Sequence, residues 1–251
     1  MKKLLAAAGV AAVIGSLPSV SVAADAAEHS LTGNFSLVSE YRYRGIAQTD
    51  KKPALQGGFD YAHASGVYLG LWGSNVSWIA DTGAASNSLE LDIYGGYKRS
   101  FGDFGMDVGV LQYYYPGTYD IWQAAGNPKP NTTELYLGGN WKMFTLKYSQ
   151  AVTDIFGFAD SKGSNYIDLG ATFDIGGGFS LGAHVGHQKI KTSATADCSY
   201  DDWKLGINKE FVGLNWGLTY VGTNADGGCY TNYRGINLGK DTVVLSVAKT
   251  F

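Results

Sequence analysis

Apolar and polar side chains alternate along most of the chain. In 89–98, leucine, isoleucine and tyrosine occupy one set of alternate positions, and Glu90, Asp92 and Lys98 belong to the other. The same alternation runs through 166–175. A helix would spread these charges around its surface, whereas a strand places them all on one side. The pattern therefore predicts strands with one apolar and one polar face.

The alternation predicts twelve strands, and their connections alternate between long and short. The predicted strands cover 31–46, 53–63, 66–78, 88–100, 103–115, 131–142, 143–153, 163–175, 178–189, 200–211, 212–223 and 239–251. Odd-numbered strands are followed by long gaps and even-numbered strands by tight turns, so the two kinds of connection gather at opposite ends of one sheet. This rhythm is typical of transmembrane barrels. We expect an all-β, up-and-down antiparallel transmembrane β-barrel of about twelve strands.

The N-terminal segment has the pattern of a secretory signal. Met1-Lys2-Lys3 precedes an apolar run at 4–14, and small residues follow at 21–24. This run is too short to cross a bilayer of about 30 Å, and the charged start and small-residue site are typical of a cleaved signal peptide. We expect residues 1–23 to be removed after export through the general secretory route. Residues 24–251 are then a single outer-membrane barrel domain of a Gram-negative bacterium.

The composition is consistent with a barrel. The chain has 35 glycines and 17 tyrosines, only 16% charged residues, and a net charge of −3. Its mean hydropathy of −0.08 argues against a multi-span helical membrane protein, but not against a barrel, in which polar inward residues balance apolar outward ones. Lysine and arginine are not clustered as nucleic-acid binding requires, so we expect no nucleic-acid partner.

The strand parity places many charged side chains on the inward face. Unpaired charges in a closed interior are costly, whereas a barrel lumen offers water or opposite charges. Two interpretations stay open: a narrow, mildly cation-favouring channel for small polar or ionic solutes, and a paired ionic core that does not conduct. The predicted pore-lining residues are Glu40, Arg42, Arg44, Asp60, Glu90, Asp92, Lys98, Asp107, Glu134, Lys147, Asp168 and Lys204.

The densest predicted inward cluster is Glu40-Tyr41-Arg42-Tyr43-Arg44, near the loop end of the first predicted strand. Guanidinium groups bind anionic groups well, so the cluster is a candidate constriction. The alternative is that both arginines pair with carboxylates of neighbouring strands, such as Asp60, or with residues of the closing strand.

The two cysteines, Cys198 and Cys229, fall in the fifth and sixth predicted long loops. These loops are neighbours on one side of an up-and-down barrel. In the oxidising environment of an exported protein we expect the two cysteines to form a disulfide that ties the loops; two free thiols are the alternative.

An enzyme receives little support from the residues. His187 faces outward near the loop rim, the location of catalytic groups in outer-membrane lipases, but the chain has no Gly-x-Ser-x-Gly motif. It also lacks His-x-x-x-His, Cys-x-x-Cys and calcium-loop motifs, so we expect no catalytic residue, cofactor or metal. A non-conducting structural or adhesive barrel is the remaining alternative, and the oligomeric state is left open.

Four stretches carry a resemblance to a known family: 31–61, Gly73-Ser-Asn-Val-Ser-Trp78, 111–117 and 239–251. They resemble the TorF family of proteobacterial porins, a group long catalogued as conserved proteins of unknown function. The resemblance implies an outer-membrane barrel surrounded by lipid and brings no catalytic motif. Phe251 ends an alternating strand and resembles the signal that the barrel assembly machinery reads.

Overall fold

Twelve strands form one closed antiparallel barrel in a computed structural model that describes residues 28–192 and 197–251. The predicted signal peptide, residues 1–23, lies outside the described residues. The barrel strands are β1 (His29–Val38), β2 (Ala54–His63), β3 (Val67–Asn75), β4 (Leu89–Phe101), β5 (Phe104–Tyr114), β6 (Thr132–Trp141), β7 (Phe144–Ala151), β8 (Asn165–Gly176), β9 (Phe179–Lys189), β10 (Tyr200–Phe211), β11 (Leu214–Thr223) and β12 (Thr242–Thr250).

Each strand pairs with the next one along the chain, and β1 also pairs with β12 to close the barrel. In this closing register Asn34 lies opposite Thr250 and Val38 opposite Ser246. Tight turns join strands at one end of the barrel, here called the turn end, and long loops join them at the other, the loop end. The predicted all-β, up-and-down architecture is confirmed.

Alternate residues along the strands face outward and inward, as the pattern predicted. Outward Leu31 and Leu69 are 71% and 60% exposed, whereas inward Tyr68 and Ser246 are each only 5% exposed. An apolar outer face around a polar interior is the arrangement that a barrel in lipid requires, because each strand meets lipid on one side only.

Three short helical turns lie in the long loops: a 3-10 turn at Ala80–Thr82, α1 (Asp120–Ala124) and α2 (Gly227–Tyr230). In the part of the chain that the structure describes, no helix is long and apolar enough to cross a membrane. Cys198 and Cys229 are joined by a disulfide that links the fifth and sixth long loops, with their Cα atoms 5.7 Å apart. Tyr230 adds a hydrogen bond of 2.6 Å from its hydroxyl to the Cys198 carbonyl.

The prediction of a first strand over 31–46 was wrong at its end. Strand β1 stops at Val38, and the chain then leaves the barrel wall. Residues 39–53, here called the inner loop, contain a small ribbon in which Arg42–Tyr43 pairs with Ile46–Ala47. Arg44 and Gly45 have φ angles of 44° and 79°, as in the two-residue turns that join antiparallel strands.

The ribbon alternates polar and apolar residues like a barrel strand, which explains the wrong prediction. Glycine is required at its turn: a Cβ on Gly45 would lie 2.2 Å from the Cγ2 atom of Thr223. The backbone there is also left-handed, a conformation that glycine adopts without strain.

Candidate functional site

The inner loop crosses the interior of the barrel near the loop end. Arg44, at the tip of its ribbon, donates from Nη2 to Glu134 Oε2 of β6 at 2.7 Å and from Nη1 to Gln188 Oε1 of β9 at 2.6 Å. The guanidinium also lies 4.2 Å from the ring centre of Tyr166. Because β6 and β9 are far around the barrel from β1, the loop reaches across the lumen to the opposite wall.

The ion pair between Arg44 and Glu134 is buried, with 7% and 1% of each residue exposed. Removing one partner of a buried ion pair leaves the other as an uncompensated buried charge. The pair therefore acts as a polar latch between the inner loop and the wall.

Two tyrosines of the inner loop make further contacts with the wall. Tyr41 donates its hydroxyl to Glu90 Oε1 at 3.0 Å, and Tyr115 donates to the other oxygen of the same carboxylate at 3.1 Å. The hydroxyls of Tyr43 and Tyr113 lie 2.5 Å apart. Burial, reinforced by the charge of Glu90, raises the pKa of Tyr41 well above its usual value. Tyr41 therefore stays neutral and keeps its proton to donate.

Arg42 connects the inner loop to the sixth long loop. Arg42 Nη2 lies 2.8 Å from Glu40 Oε1, and Arg42 Nη1 donates to the carbonyl oxygens of Gly45 and Leu238 at 2.9 and 2.7 Å. The amide of Ala47 donates to the same Leu238 carbonyl at 2.9 Å. The sixth loop therefore clamps the base of the ribbon.

A second set of contacts joins the inner loop to the second and sixth long loops. Arg234 of the sixth loop contacts Asp50 at 3.0 Å and Asp81 of the second loop at 3.2 Å. Asn232 donates to the other oxygen of Asp50 at 2.8 Å. With the disulfide between the fifth and sixth loops, these bonds hold a cap over the loop end of the barrel.

The alternative in which Arg42 and Arg44 pair with a carboxylate such as Asp60 is wrong in its partner, because both arginines lie off the barrel wall. Asp60 instead accepts the hydroxyl of Tyr94 at 2.6 Å. Glu134, on the far wall, is the carboxylate that Arg44 reaches.

Among the other predicted pore-lining residues, Glu40 lies in the inner loop beside Arg42, and those on the strands project inward from the wall. Lys98 lies 3.6 Å from Asp107, which also accepts the hydroxyl of Tyr68 at 2.6 Å. Lys147 lies 4.1 Å from the ring centre of Tyr136. The buried Oδ1 atom of Asp92 has no hydrogen-bond partner among the described residues.

Two further predicted residues, Asp168 and Lys204, flank a buried histidine that the sequence reasoning did not select. His184 Nδ1 lies 3.3 Å from Asp168, and its Nε2 lies 2.8 Å from Asp202. Lys204 lies opposite His184 on the neighbouring strand and is buried. The alternation of β9 places His184 inward, but which carboxylates it meets depends on the strand register.

The interior becomes more accessible towards the turn end. Side chains of Lys98 and Asp107 are 21% and 24% exposed, against 1% for Glu134 beneath the inner loop. Inward Asn140, Thr145 and Thr172, close to the turns, are exposed. Polar side chains inside the barrel are therefore more exposed near the turn end than beneath the inner loop.

His187, the residue that raised the lipase alternative, faces outward. Its Nδ1 lies 2.7 Å from an Asp201 carboxylate oxygen, and both side chains are about half exposed. This pair lies outside the lumen and is separate from the inner loop contacts.

Comparison with known proteins identifies the family and the fold. The model of the family Gcw_chp, described as a bacterial protein of unknown function, matches residues 22–251. No curated protein matches the chain. Among solved structures, the KdgM porin aligns with a TM-score of 0.53 and 7% identity, over 88% of this chain and 98% of that one.

Two other solved structures are similar to the same extent. The NanC porin aligns with a TM-score of 0.51 and 8% identity, over 88% of this chain and 98% of that one. The KdgM porin in complex with disordered oligogalacturonate gives 0.51 and 8%, over 88% and 97%. At such identities the likeness concerns the fold alone. The chain belongs to the Gcw_chp family of bacterial proteins of unknown function, and it has the barrel fold of these porins.

Proposed function

We propose that this chain is an outer-membrane channel for small polar or ionic solutes, and that the inner loop is its constriction. One observation carries the proposal: charged side chains face the interior of a barrel with an apolar outer face and are partly exposed near the turn end, and a single loop held by Arg44 and Glu134 crosses that interior near the loop end. A purely structural barrel does not require a solvent-accessible interior lined with charge.

The chemistry of the inner loop suits a part that moves. Its polar contacts with the wall are an ion pair and tyrosine hydrogen bonds, which water can replace when the loop leaves the lumen. The rings of Tyr41 and Tyr43 also pack against Trp72 and Tyr113 of the wall, and this apolar contact opposes the movement. Movement of the loop therefore exposes groups that solvent can satisfy. A constriction that opens needs this property.

The wall beneath the loop is rich in carboxylates. Glu90, Asp92 and Glu134 all face inward on β4 and β6, and Arg44 is the cation that pairs with one of them. Fixed negative charge in a narrow, low-dielectric passage raises the local concentration of cations. We therefore propose a preference for cations when the inner loop is displaced.

Planar-bilayer recording of the purified chain tests the channel. We expect single-channel steps, and a reversal potential under a salt gradient that indicates cation preference. Glu90→Gln should move this reversal potential towards zero, whereas Asp201→Asn, which removes an equal charge from the outer face, should leave it unchanged. An identical shift in both variants would contradict a role for the lumen carboxylates.

The non-conducting alternative also has a specific observation in its favour, because the inner loop and the cap close the loop end. Deletion of the ribbon, residues 42–47, separates the two functions. A folded deletion variant that conducts supports a constriction, and one that stays silent supports a structural barrel. No residue of the chain is assigned a catalytic role in either case.

We extend the proposal to the placement of the chain in the cell. An outer membrane reached by the general secretory route, with removal of residues 1–23, is consistent with the apolar outer face of the barrel. Phe251 exchanges two backbone hydrogen bonds with Gly33, of 2.8 and 2.9 Å, and lies at the seam between β12 and β1. This position suits recognition by the barrel assembly machinery. The narrower TorF assignment rests on the four stretches quoted above.

A further inference from the structure

Two histidines and a glutamate meet on the outside of the barrel at its turn end. His29 begins β1 and His63 ends β2, and the antiparallel register places them directly opposite each other. Directly opposed residues in such a pair have Cβ atoms about 4.5–5.5 Å apart. The two imidazole ring centres are 5.1 Å apart.

Glu28 completes the group. One of its carboxylate oxygens lies 3.6 Å from His63 Nε2. One ligand atom from each of the three residues lies within 4.8 Å of the other two. Within residues 28–192 and 197–251 this is the one group of three such side chains that meets this distance.

The backbone holds the group in place. The amide of Ala64 donates to the Glu28 carbonyl at 2.9 Å, and the amide of Gly66 donates to the His63 carbonyl at 2.8 Å. The first bond attaches the residue before β1 to the first tight turn, and the second closes that turn. All three side chains therefore start from positions that the barrel already fixes.

Each histidine also has a hydrogen-bond partner behind it. His29 Nδ1 lies 2.8 Å from the Tyr61 hydroxyl, and His63 Nδ1 lies 2.7 Å from the Ser65 hydroxyl. Metal-binding histidines usually donate one ring N–H to such a partner, which fixes the tautomer that leaves the other nitrogen free for the metal. A proton on Nδ1 of each ring would thus leave its Nε2 atom available.

One contact opposes this tautomer. The backbone amide of Ser65 approaches His63 Nδ1 at 3.1 Å, and it is satisfied there only when this nitrogen carries no proton. Metal binding at Nε2 requires the proton on Nδ1, directed to the Ser65 hydroxyl. A metal ion must therefore shift His63 to the second tautomer, in which Nδ1–H donates a hydrogen bond to the Ser65 hydroxyl oxygen.

We infer that Glu28, His29 and His63 bind a divalent transition-metal ion of the zinc class at the turn end of the barrel. Two imidazole nitrogens and one carboxylate oxygen are ligands typical of zinc, with bonds of about 2.0–2.2 Å, and a water molecule fills the fourth position. Calcium and magnesium prefer oxygen ligands and suit this group poorly.

The ion would connect the start of β1 to the end of β2. It would therefore tie the segment before the barrel to the first turn, at the end of the barrel opposite the disulfide. This site does not depend on conduction through the lumen, because all three residues lie outside it.

Titration of the detergent-purified, tag-free chain with Zn²⁺ tests the site, with calorimetry for affinity and Co²⁺ absorption for geometry. We expect one ion per chain in the wild type. His29→Ala and His63→Ala should each weaken binding at least tenfold. His187→Ala, which removes the exposed histidine at the other end of the barrel, is the matched control and should bind like the wild type.

Tyr61→Phe examines the positioning role of the hydroxyl behind His29. Loss of such a partner costs about 10–100-fold in metal affinity, so this variant should bind more weakly and change the Co²⁺ spectrum. Unchanged affinity in both His29→Ala and His63→Ala would overturn the inference, as would binding that disappears only in His187→Ala. All these side chains lie on the outer face or at its rim, and circular dichroism verifies the barrel in each variant.

Discussion

Replacing Arg44 by alanine should open the constriction. The change removes the cation from a pair in which Glu134 is only 1% exposed, and it also removes the hydrogen bond to Gln188. Breaking a buried pair from one side costs about 3–5 kcal/mol, since the remaining charge has no compensation. When the inner loop leaves the lumen, water can hydrate Glu134. The free-energy cost of the unpaired carboxylate therefore applies only to the closed state.

The lower end of this range sets the expected size of the effect. About 3 kcal/mol, at about 1.4 kcal/mol for each tenfold step, changes the ratio of open to closed channel by about a hundredfold. In planar bilayers the Arg44→Ala variant should therefore be open far more often than the wild type, with single-channel steps no smaller than before. Trypsin should also cut faster after Arg42, whose side chain is buried while the loop is docked.

Two companion variants make the test specific. Arg99→Ala removes an exposed arginine from the outer face and should change neither conductance nor cleavage. Adding Glu134→Gln to Arg44→Ala removes the stranded charge and should restore part of the closed state, which a double-mutant cycle measures. If Arg44→Ala folds and yet opens and is cleaved no more readily than Arg99→Ala, the latch does not hold the loop and the reasoning is refuted.

Three further predictions concern the barrel and its cap. Gly109→Ala should lower the free energy of unfolding by about 1–3 kcal/mol, because its Cβ would lie 2.4 Å from the Tyr136 hydroxyl and 2.5 Å from the Gly95 carbonyl. Gly138→Ala, whose Cβ would approach no atom closer than 3.7 Å, should unfold at the wild-type urea concentration, and equal losses in the two variants would contradict the steric argument. Cys198→Ser removes a cross-link between residues 31 positions apart, so it should lower the free energy of unfolding by about 3–4 kcal/mol and speed trypsin cleavage after Arg42. The idea fails if a reducing agent leaves the wild type as resistant to trypsin as before. Deletion of Phe251 removes both backbone bonds to Gly33, about 2 kcal/mol at the seam, and should lower the folded fraction seen as heat-sensitive migration on gels, which an unchanged fraction would disprove.

The barrel was predictable because one period governs every strand. The positions of Glu90, Asp107 and Lys147 on the inward face follow from parity alone, and parity is independent of exact strand ends. The closing pair of β1 and β12 also follows once the strand number is even and the connections are antiparallel.

The inner loop was not predictable from the same period. A two-residue ribbon alternates like a wall strand, so Glu40 to Arg44 offered no break in the pattern. The one available signal was Gly45 after Arg44, since glycine favours the left-handed turn that reverses the ribbon. The pairing of Arg44 with Glu134 could not be predicted, because the two residues come together only when the sheet closes into a barrel.

The histidine pair at the turn end escaped sequence reasoning for a related reason. Metal motifs are recognised by short spacings along the chain, whereas His29 and His63 are brought together by strand register. They meet only because the N-terminal end of β1 extends as far as the end of β2. Strand ends are the least certain part of a sequence-based prediction.

The contact between Arg42 and Leu238 has a consequence for the order of folding. It joins residues 196 positions apart, and Leu238 belongs to the last loop before the closing strand. Bringing such distant segments together carries a large loop-closure entropy cost unless intervening structure has already formed. The inner loop can be clamped only after the sixth loop has been placed by its flanking strands. A barrel that stalls before β12 is inserted therefore lacks the contact between Arg42 and Leu238. We expect proteases to cut the inner loop more readily in such an intermediate than in the complete barrel.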